Sequence, residues 1–218
     1  MEMSLDQIID RCLALESGVS LHHLRTGKLG EELQDVAGAC ETLRSLPLFV
    51  DDTPSPNILQ MRAMARRLQS EHGLELLIVD YLQLMSARRN YESPVQQVTE
   101  ISRGLKGLAK ELNIPILAVS QLSRAVEQRE GRRPRLSDLR DSGSIEQDAD
   151  LVMFIHRDDK IDFEKAKRDN KLNRAQVLIA KHRNGPTGEI GFYVDPTSLR
   201  FKTEDKFHTD DYLMGEVI

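Results

Sequence analysis

The sequence predicts an α/β protein: a mostly parallel sheet flanked by helices, with an antiparallel hairpin near the C-terminus. Two observations predict it. Short, continuous apolar runs ("LLIVD", "IPILAVS", "DLVMFIH") alternate with longer amphipathic stretches, the pattern of strands buried on both faces between covering helices. Late in the chain, "AQVLIAK" and "EIGFYV" flank the turn "RNGPTG", which reads as a hairpin.

Taken in order, "SLDQIIDRCLALES" (4–17) spaces Leu5, Ile8, Ile9, Cys12 and Leu13 helically, and Ser4 with Gln7 forms a capping-box pattern. A second helix over about 30–44 places Leu33, Val36, Ala37, Cys40 and Leu43 on one face, and "LPLFVDD" (46–52) predicts a short strand. Ser55 and Pro56 suggest an N-cap and first position for a helix that repeats Ile58, Met61, Ala65 and Leu68. Strand 74–79 follows. A loop with Arg88, Arg89 and Asn90 leads to a long helix over about 93–112, with Val95, Val98, Ile101, Leu105, Leu108 and Leu112 inward. Strands 114–120 and 150–156 flank a charged linker. The polar stretch 157–173 interrupts the pattern before the hairpin strands 175–181 and 189–194, and "LRF" (199–201) adds a short pairing. One domain is expected over 1–201, with 202–218 as an acidic, flexible tail.

Composition narrows the function classes. An apolar content of 39% and a charged content of 30% describe a globular chain, and no run approaches the ~18 apolar residues of a membrane span. No membrane partner and a cytoplasmic location are therefore expected. Cys12 and Cys40 read as small core residues in a reducing compartment. Without Trp, and with 5% aromatics, base stacking on rings is disfavoured, and a net charge of −5 leaves DNA binding to a local patch.

Ligands of open α/β sheets bind beyond the carboxyl ends of the strands. Those positions hold Asp51 and Asp52, Asp80, Gln121 after Ser120, and Arg157 with Asp158. A carboxylate after one strand and an amide after its neighbour suit a nucleotide-phosphate site, the carboxylate through hydrated Mg²⁺ and the amide toward the terminal phosphate. The same residues also serve simply to end strands. From Ser123 to Arg140 the chain carries six arginines against three acids. This looped, mobile surface either contacts phosphates or is merely solvated, and composition favours the second. Lys181 and Arg183 share a strand face, which by spacing alone is a charged hairpin end.

Seven stretches change those odds: "EMS", "LRTGKL", "DDTPS", "IVDYLQLM", "EISRGLKGLAKELNIPILAVSQLSR", "RPRLSDLRDSGSIEQDAD" and "IAKHRNGPTG". In this order, from residue 2 to about 201, they resemble the C-terminal, RecA-like motor domain of the DnaB family of replicative DNA helicases. The resemblance implies ATP and Mg²⁺ as ligands, single-stranded DNA as partner, a homo-hexameric ring, 5′ to 3′ translocation with duplex unwinding, and a nucleoid or replisome location. It implies that Asp80 supports Mg²⁺, Glu2 activates the attacking water, and Gln121 senses the γ-phosphate. It further implies that Lys181 and Arg183 reach a neighbouring subunit's nucleotide, and that Arg140, Asp141 and Gly143 line the channel that holds DNA.

One part of the family pattern is absent. No G-x-x-x-x-G-K-[ST] occurs; "TGKLGEE" has Gly27 and Lys28 but neither the earlier glycine nor the following hydroxyl. The expected fold therefore lacks the N-terminal strand and phosphate loop, and ATP affinity for this chain alone should be poor. An upstream fragment supplying the loop is the expected partner. The alternative is a non-catalytic, ring-interacting or DNA-binding fragment of a helicase.

Overall fold

The computed structural model describes residues 3–87, 91, 93–198 and 200–203, and of Arg124, Glu130, Arg140, Asp141 and Ser142 the backbone alone. The chain divides into two compact units. The first comprises Met1–Ile9, Pro47–Met153 and Ile179–Thr187, and the second Asp10–Leu46, Phe154–Leu178 and Gly188–Ile218. Strands fall into two hydrogen-bonded sheets. In one, β1 (Leu77–Val79) pairs in parallel with β2 (Ile116–Ala118), Leu77 opposite Ile116 and Val79 opposite Ala118. The other runs in the order β3 (Leu151–His156), β4 (Arg174–His182), β5 (Gly188–Val194), β6 (Phe201–Thr203), and β6 is antiparallel to β5.

The second unit holds most of α1 (Leu5–Ser17), then α2 (Leu21–Thr26) and α3 (Leu33–Ser45). The Ser4–Gln7 capping box is formed, in the first unit. The short helix α2 has no counterpart in the sequence expectation; Ser20 caps it, and Gly27 closes it at φ 68°. In α3 the inward residues are Val36, Ala39 and Leu43, so Leu33, Ala37 and Cys40 face solvent and Cys40 is not a core residue.

In the first unit the core forms where α4 (Ile58–His72) and α5 (Pro94–Leu112) pack behind β1 and β2. The inward face of α5 is Val98, Ile101, Leu105, Leu108 and Leu112, all buried, whereas Val95 at its first turn is exposed. Ser93 and Pro94 start this helix as the sequence suggests. At α4 the sequence suggestion fails. The N-cap is Asn57, whose Oδ1 accepts the Leu59 and Gln60 amides while Gln60 Oε1 accepts the Asn57 amide, and Ser55 lies in the left-handed region at φ 48°. This reciprocal box satisfies three amide donors at the helix start, which the Ser55–Pro56 pair cannot do. Gly104 lets the two helices touch: a Cβ there would sit 2.6 Å from Ile58 Cγ1.

Residues 46–52 do not form the expected strand. Leu46, Leu48 and Phe49 are exposed, and the Phe49 ring stacks on His72 at 5.0 Å instead of entering a sheet. One face of the parallel pair is also bare: Leu76, Ile78, Leu117 and Val119 are all exposed, while the opposite face, with Val79, is in the core.

A short helix, α6 (Gly143–Asp148), leads into β3. The polar stretch after β3 folds as α7 (Asp158–Ile161) and α8 (Phe163–Arg168), the latter capped by Asp162. The expected tail beyond Thr203 lies outside the described residues, as do Arg88, Arg89 and Asn90 of the expected loop.

Candidate nucleotide and DNA site

Asp80 immediately follows β1 and is exposed, and it makes no hydrogen bond or ion pair with any described residue. A carboxylate left free at the end of a core strand is available to an external cation. The strand carrying it is fixed from both sides of the ladder, since the Val119 amide donates to Val79 O and the Leu82 amide to Val119 O, each at 2.9 Å. Leu82, two residues beyond Asp80, is buried in the core and pins the turn after the carboxylate.

Gln121 lies three residues beyond the end of β2 and is exposed. What fixes it is Gln83, a residue that sequence reasoning did not single out. The Gln83 amide donates to Ser120 Oγ at 3.0 Å and to Gln121 O at 3.5 Å, and its Oε1 accepts the Gln121 amide at 3.3 Å. One side chain thus treats the Gln121 peptide as a β-partner would, and ties the ends of β1 and β2 together while the Gln121 carboxamide stays free. The only signal was position: Gln83 lies within the "DYLQL" run, three residues after the carboxylate.

Of the other expected strand-end residues, Asp51, Arg157 and Asp158 bond within the chain, and Asp52 is exposed. Asp51 Oδ1 accepts the Thr53 amide. Arg157 forms a bidentate pair with Asp159, at 3.0 and 2.7 Å, and Asp158 bonds His156 and Lys171. Asp159 is held below the usual carboxylate range chiefly by the Arg157 hydrogen bond. These pairs tie α7 to the end of β3 and to Lys171 beyond α8. A pocket of about 290 Å³ in the second unit, with Arg11, Leu15, Arg157 and Phe201 in its lining, contains none of the strand-end pair Asp80 and Gln121.

The arginine-rich segment is folded rather than an open loop. Asp138 is buried, and it accepts from Arg129 Nη1 and Nη2 at 3.1 and 2.7 Å and from the Arg135 amide at 2.7 Å. The Arg129 hydrogen bond is the main reason the Asp138 carboxyl is held below its ordinary value. Val126, Pro134 and Leu139 are buried around this clamp, so Arg129 is structural while Arg132 and Arg135 are exposed. Leu136–Ser142 is a run of 3₁₀ turns, and Gly143 begins α6 with ordinary helical angles. The side chains of Arg140 and Asp141 lie outside the described residues, as does Glu2 altogether.

Lys181 and Arg183, at the end of β4, are brought together with the end of α6. Lys181 Nζ donates to the carbonyl oxygens of Glu146 and Ala149. Arg183 Nη1 pairs with Asp150 Oδ1 at 2.6 Å, and the Arg183 amide donates to Asp150 O at 2.8 Å. Lys106 of α5 bonds the other Asp150 oxygen.

Among the described residues no three His, Cys, Asp or Glu side chains gather as metal ligands. Asp80 nevertheless fits one kind of ion. Mg²⁺ keeps most of its water and takes one or two carboxylates plus substrate phosphates, whereas a caged cation needs several protein oxygens. No described helix is long and apolar enough to cross a membrane.

Comparison with known proteins supplies the context. Residues 1–203 match the family model described as DnaB-like helicase C terminal domain. A replicative DNA helicase DnaB of Rickettsia typhi is 45% identical over 220 residues, covering 94% of this chain and 44% of the relative. The replicative helicase of Geobacillus stearothermophilus is 46% identical over 192 residues, covering 87% of this chain and 41% of the relative. The chain thus spans less than half the length of these curated relatives. Among solved structures, one ATPase domain superposes with a TM-score of 0.87 at 31% identity, covering 94% of this chain and 72% of that one. A DnaB-like replicative helicase, solved in a study of its interactions with primase, gives 0.86 at 32% identity and covers 92% of this chain and 48% of that one.

Proposed function

This chain belongs to the DnaB-like helicase C-terminal domain family, with the α/β fold of RecA-like helicase ATPase domains, and from that premise we propose that it is the motor part of a replicative DNA helicase. In this role ATP hydrolysis drives a homo-hexameric ring 5′ to 3′ along single-stranded DNA in the cytoplasm, at the replisome. The observation that carries the proposal is the pair at the sheet edge: an exposed, unpartnered Asp80 beyond β1, and Gln121 beyond the parallel neighbour β2 with its backbone clamped by Gln83.

The residues divide the work as follows. Asp80 holds hydrated Mg²⁺, which when bound offsets charge on the nucleotide phosphates. Gln121, free at its carboxamide, donates to the terminal phosphate. Glu2 takes the proton of the attacking water. Lys181 and Arg183 present positive charge to the nucleotide of the adjacent subunit, where charge spreads over the transferred phosphoryl oxygens. Arg140, Asp141 and the amide of Gly143 hold the DNA backbone, which positions a strand without reading its sequence.

The test is DNA-stimulated ATP hydrolysis and strand displacement by the protein at its native length. Asp80→Asn and Gln121→Ala are each expected to lower kcat by about 100-fold, the scale of losing one transition-state electrostatic contact. A change under about threefold in both would overturn the assignment.

A second reading rests on the absence of any glycine-rich, lysine-bearing phosphate loop within these 218 residues. On that reading the chain binds DNA or a ring edge without turning over ATP. Mixing it with an upstream fragment that carries the loop separates the two. ATPase recovery that depends on Arg183 supports the motor, and inhibition of an intact helicase supports the non-catalytic fragment.

A further inference from the structure

We propose that Asp150 is a positioning residue for the trans-acting cations, holding Arg183 on a frame built from α5 and α6 that also carries the DNA-facing segment. The inference rests on the motor reading above and deepens it.

The frame begins on α5. Ser102 and Lys106, one helical turn apart, share a face of this well-buried helix. Ser102 Oγ donates to Asp148 Oδ2 at 2.8 Å, and Lys106 reaches Asp150. Two bonds therefore pin the junction between α6 and β3 to the long, deeply buried α5. That junction in turn holds both cations. The last carbonyls of α6 are left without intrahelical donors, as at any helix C-terminus, and Lys181 Nζ donates to one of them, Glu146 O, and to Ala149 O just beyond the helix. Asp150 takes Arg183 twice, through its carboxylate and through its main-chain oxygen. Lys106 and then the charges of Arg183 and Lys181 keep the Asp150 carboxyl below its ordinary range, so it stays ionised at neutral pH.

The geometry leaves Arg183 able to act while held. Its pair uses Nη1 alone, its side chain is about half exposed at 49%, and a guanidinium has five donors. The bond to Asp150 fixes where the fork sits, and the outer edge remains for a phosphate. At its other end, α6 continues directly from Leu136–Ser142, the segment assigned to DNA. A six-residue helix thus has the DNA-facing turns at one end and the holders of both cations at the other, so a strand seated on one end sets the placement of the other.

The test measures kcat and KM for ATP, with saturating single-stranded DNA, on the protein at its native length. Asp150→Asn keeps size and removes charge; it is expected to lower kcat by about 10- to 100-fold, the range for misplacing a reacting group by about an ångström, with KM changed less than about twofold. Asp150→Glu should recover most of that loss, which a purely steric defect would not allow. In an Arg183→Ala background, Asp150→Asn should add nothing further. Lys106→Met, which leaves the Asp150–Arg183 pair but cuts its anchor to α5, carries the same comparison should Asp150→Asn fail to fold. A native-length protein with no DNA-stimulated hydrolysis, or one indifferent to Arg183→Ala, overturns the trans-acting reading and this inference with it. A protein crippled by Arg183→Ala but unaffected by both Asp150→Asn and Lys106→Met, or one in which the losses add, overturns the role of Asp150 alone.

Discussion

Two glycines on one helix should respond in opposite senses to the same change. Gly104 and Gly107 both lie inside α5, and alanine gains about 1 kcal/mol over glycine in a helix interior. At Gly107 nothing lies within 4 Å of an added Cβ, so Gly107→Ala should keep the whole gain. At Gly104 the new Cβ would meet Ile58 Cγ1 at 2.6 Å and Cδ1 at 3.2 Å, and Ile58 is buried under α5 with no room to retreat. Overpacking of this kind costs about 1–3 kcal/mol, so Gly104→Ala should range from neutral to about 2 kcal/mol destabilising after the helix gain is offset. The two variants should then differ by about 1–3 kcal/mol. For a chain of this size that is roughly 2–12 °C between their Tm values, at about 2–4 °C per kcal/mol. Thermal and urea unfolding read the difference, and Ile58→Ala supplies the control. With the Ile58 branch gone, Gly104→Ala should cost at least about 1 kcal/mol less than in the parent. A Gly104→Ala protein as stable as Gly107→Ala, or one whose penalty survives Ile58→Ala, would refute the close approach of α4 and α5.

Three further outcomes are expected. Asp138→Asn should lower stability at pH 7 and flatten its acid dependence. A carboxyl depressed in the folded state contributes above its ordinary value of 3.8 and loses that contribution as pH falls through the lower, folded value. Urea midpoints for parent and variant, taken from pH 7 down to the acid limit of folding, should therefore converge, and parallel curves would count against the clamp. Gln83→Leu should speed hydrogen exchange at the Gln121 amide by about fivefold, since a hydrogen bond of about 1 kcal/mol is lost there; an unchanged rate would remove Gln83 from its assigned place. Ile78→Thr and Leu117→Thr should each alter the stability of the 218-residue chain by no more than about 0.5 kcal/mol and reduce binding of a hydrophobic dye, because both side chains are exposed. A loss above about 1.5 kcal/mol from either would mean the face is covered.

Where one physical term dominated, the fold was legible. Helix α5 combines a long apolar stripe with a Ser-Pro start, and from Val98 to Leu112 the expected apolar positions are buried, Val95 at the first turn excepted. The start of α4 shows the opposite case. Two capping signals, Ser55–Pro56 and Asn57 with Gln60, lie within a few residues, and the one that satisfies more orphaned donors prevails. Residues 46–52 carry strand composition without a strand partner, and β structure exists only in pairs, so their apolar content could not announce that Phe49 would stack on His72. In α3 a one-residue rotation exchanged the expected face of Cys40 for that of Ala39, an error that low apolar contrast along the helix invites.

The candidate site divides along the same line. Asp80 and Gln121 could be read because strand ends are fixed by topology: a polar residue after an apolar run lands at the sheet edge wherever else the chain goes. Lys181 and Arg183 could not be read by spacing, because their surroundings are assembled from distant segments. The structure places three cations, Lys106, Lys181 and Arg183, around one carboxylate, Asp150, with Lys181 resting on uncharged carbonyls. The Arg183–Asp150 pair is half exposed on both sides, so both groups stay within reach of solvent and of anything dissolved in it. On the motor reading proposed above, a polyphosphate would bring several negative charges to the same place and engage the unused donors of Arg183 and Lys181 without first displacing Asp150. On that reading the hairpin end is half of a site rather than a cap, and the Arg183→Ala and Asp150→Asn comparison decides between the two.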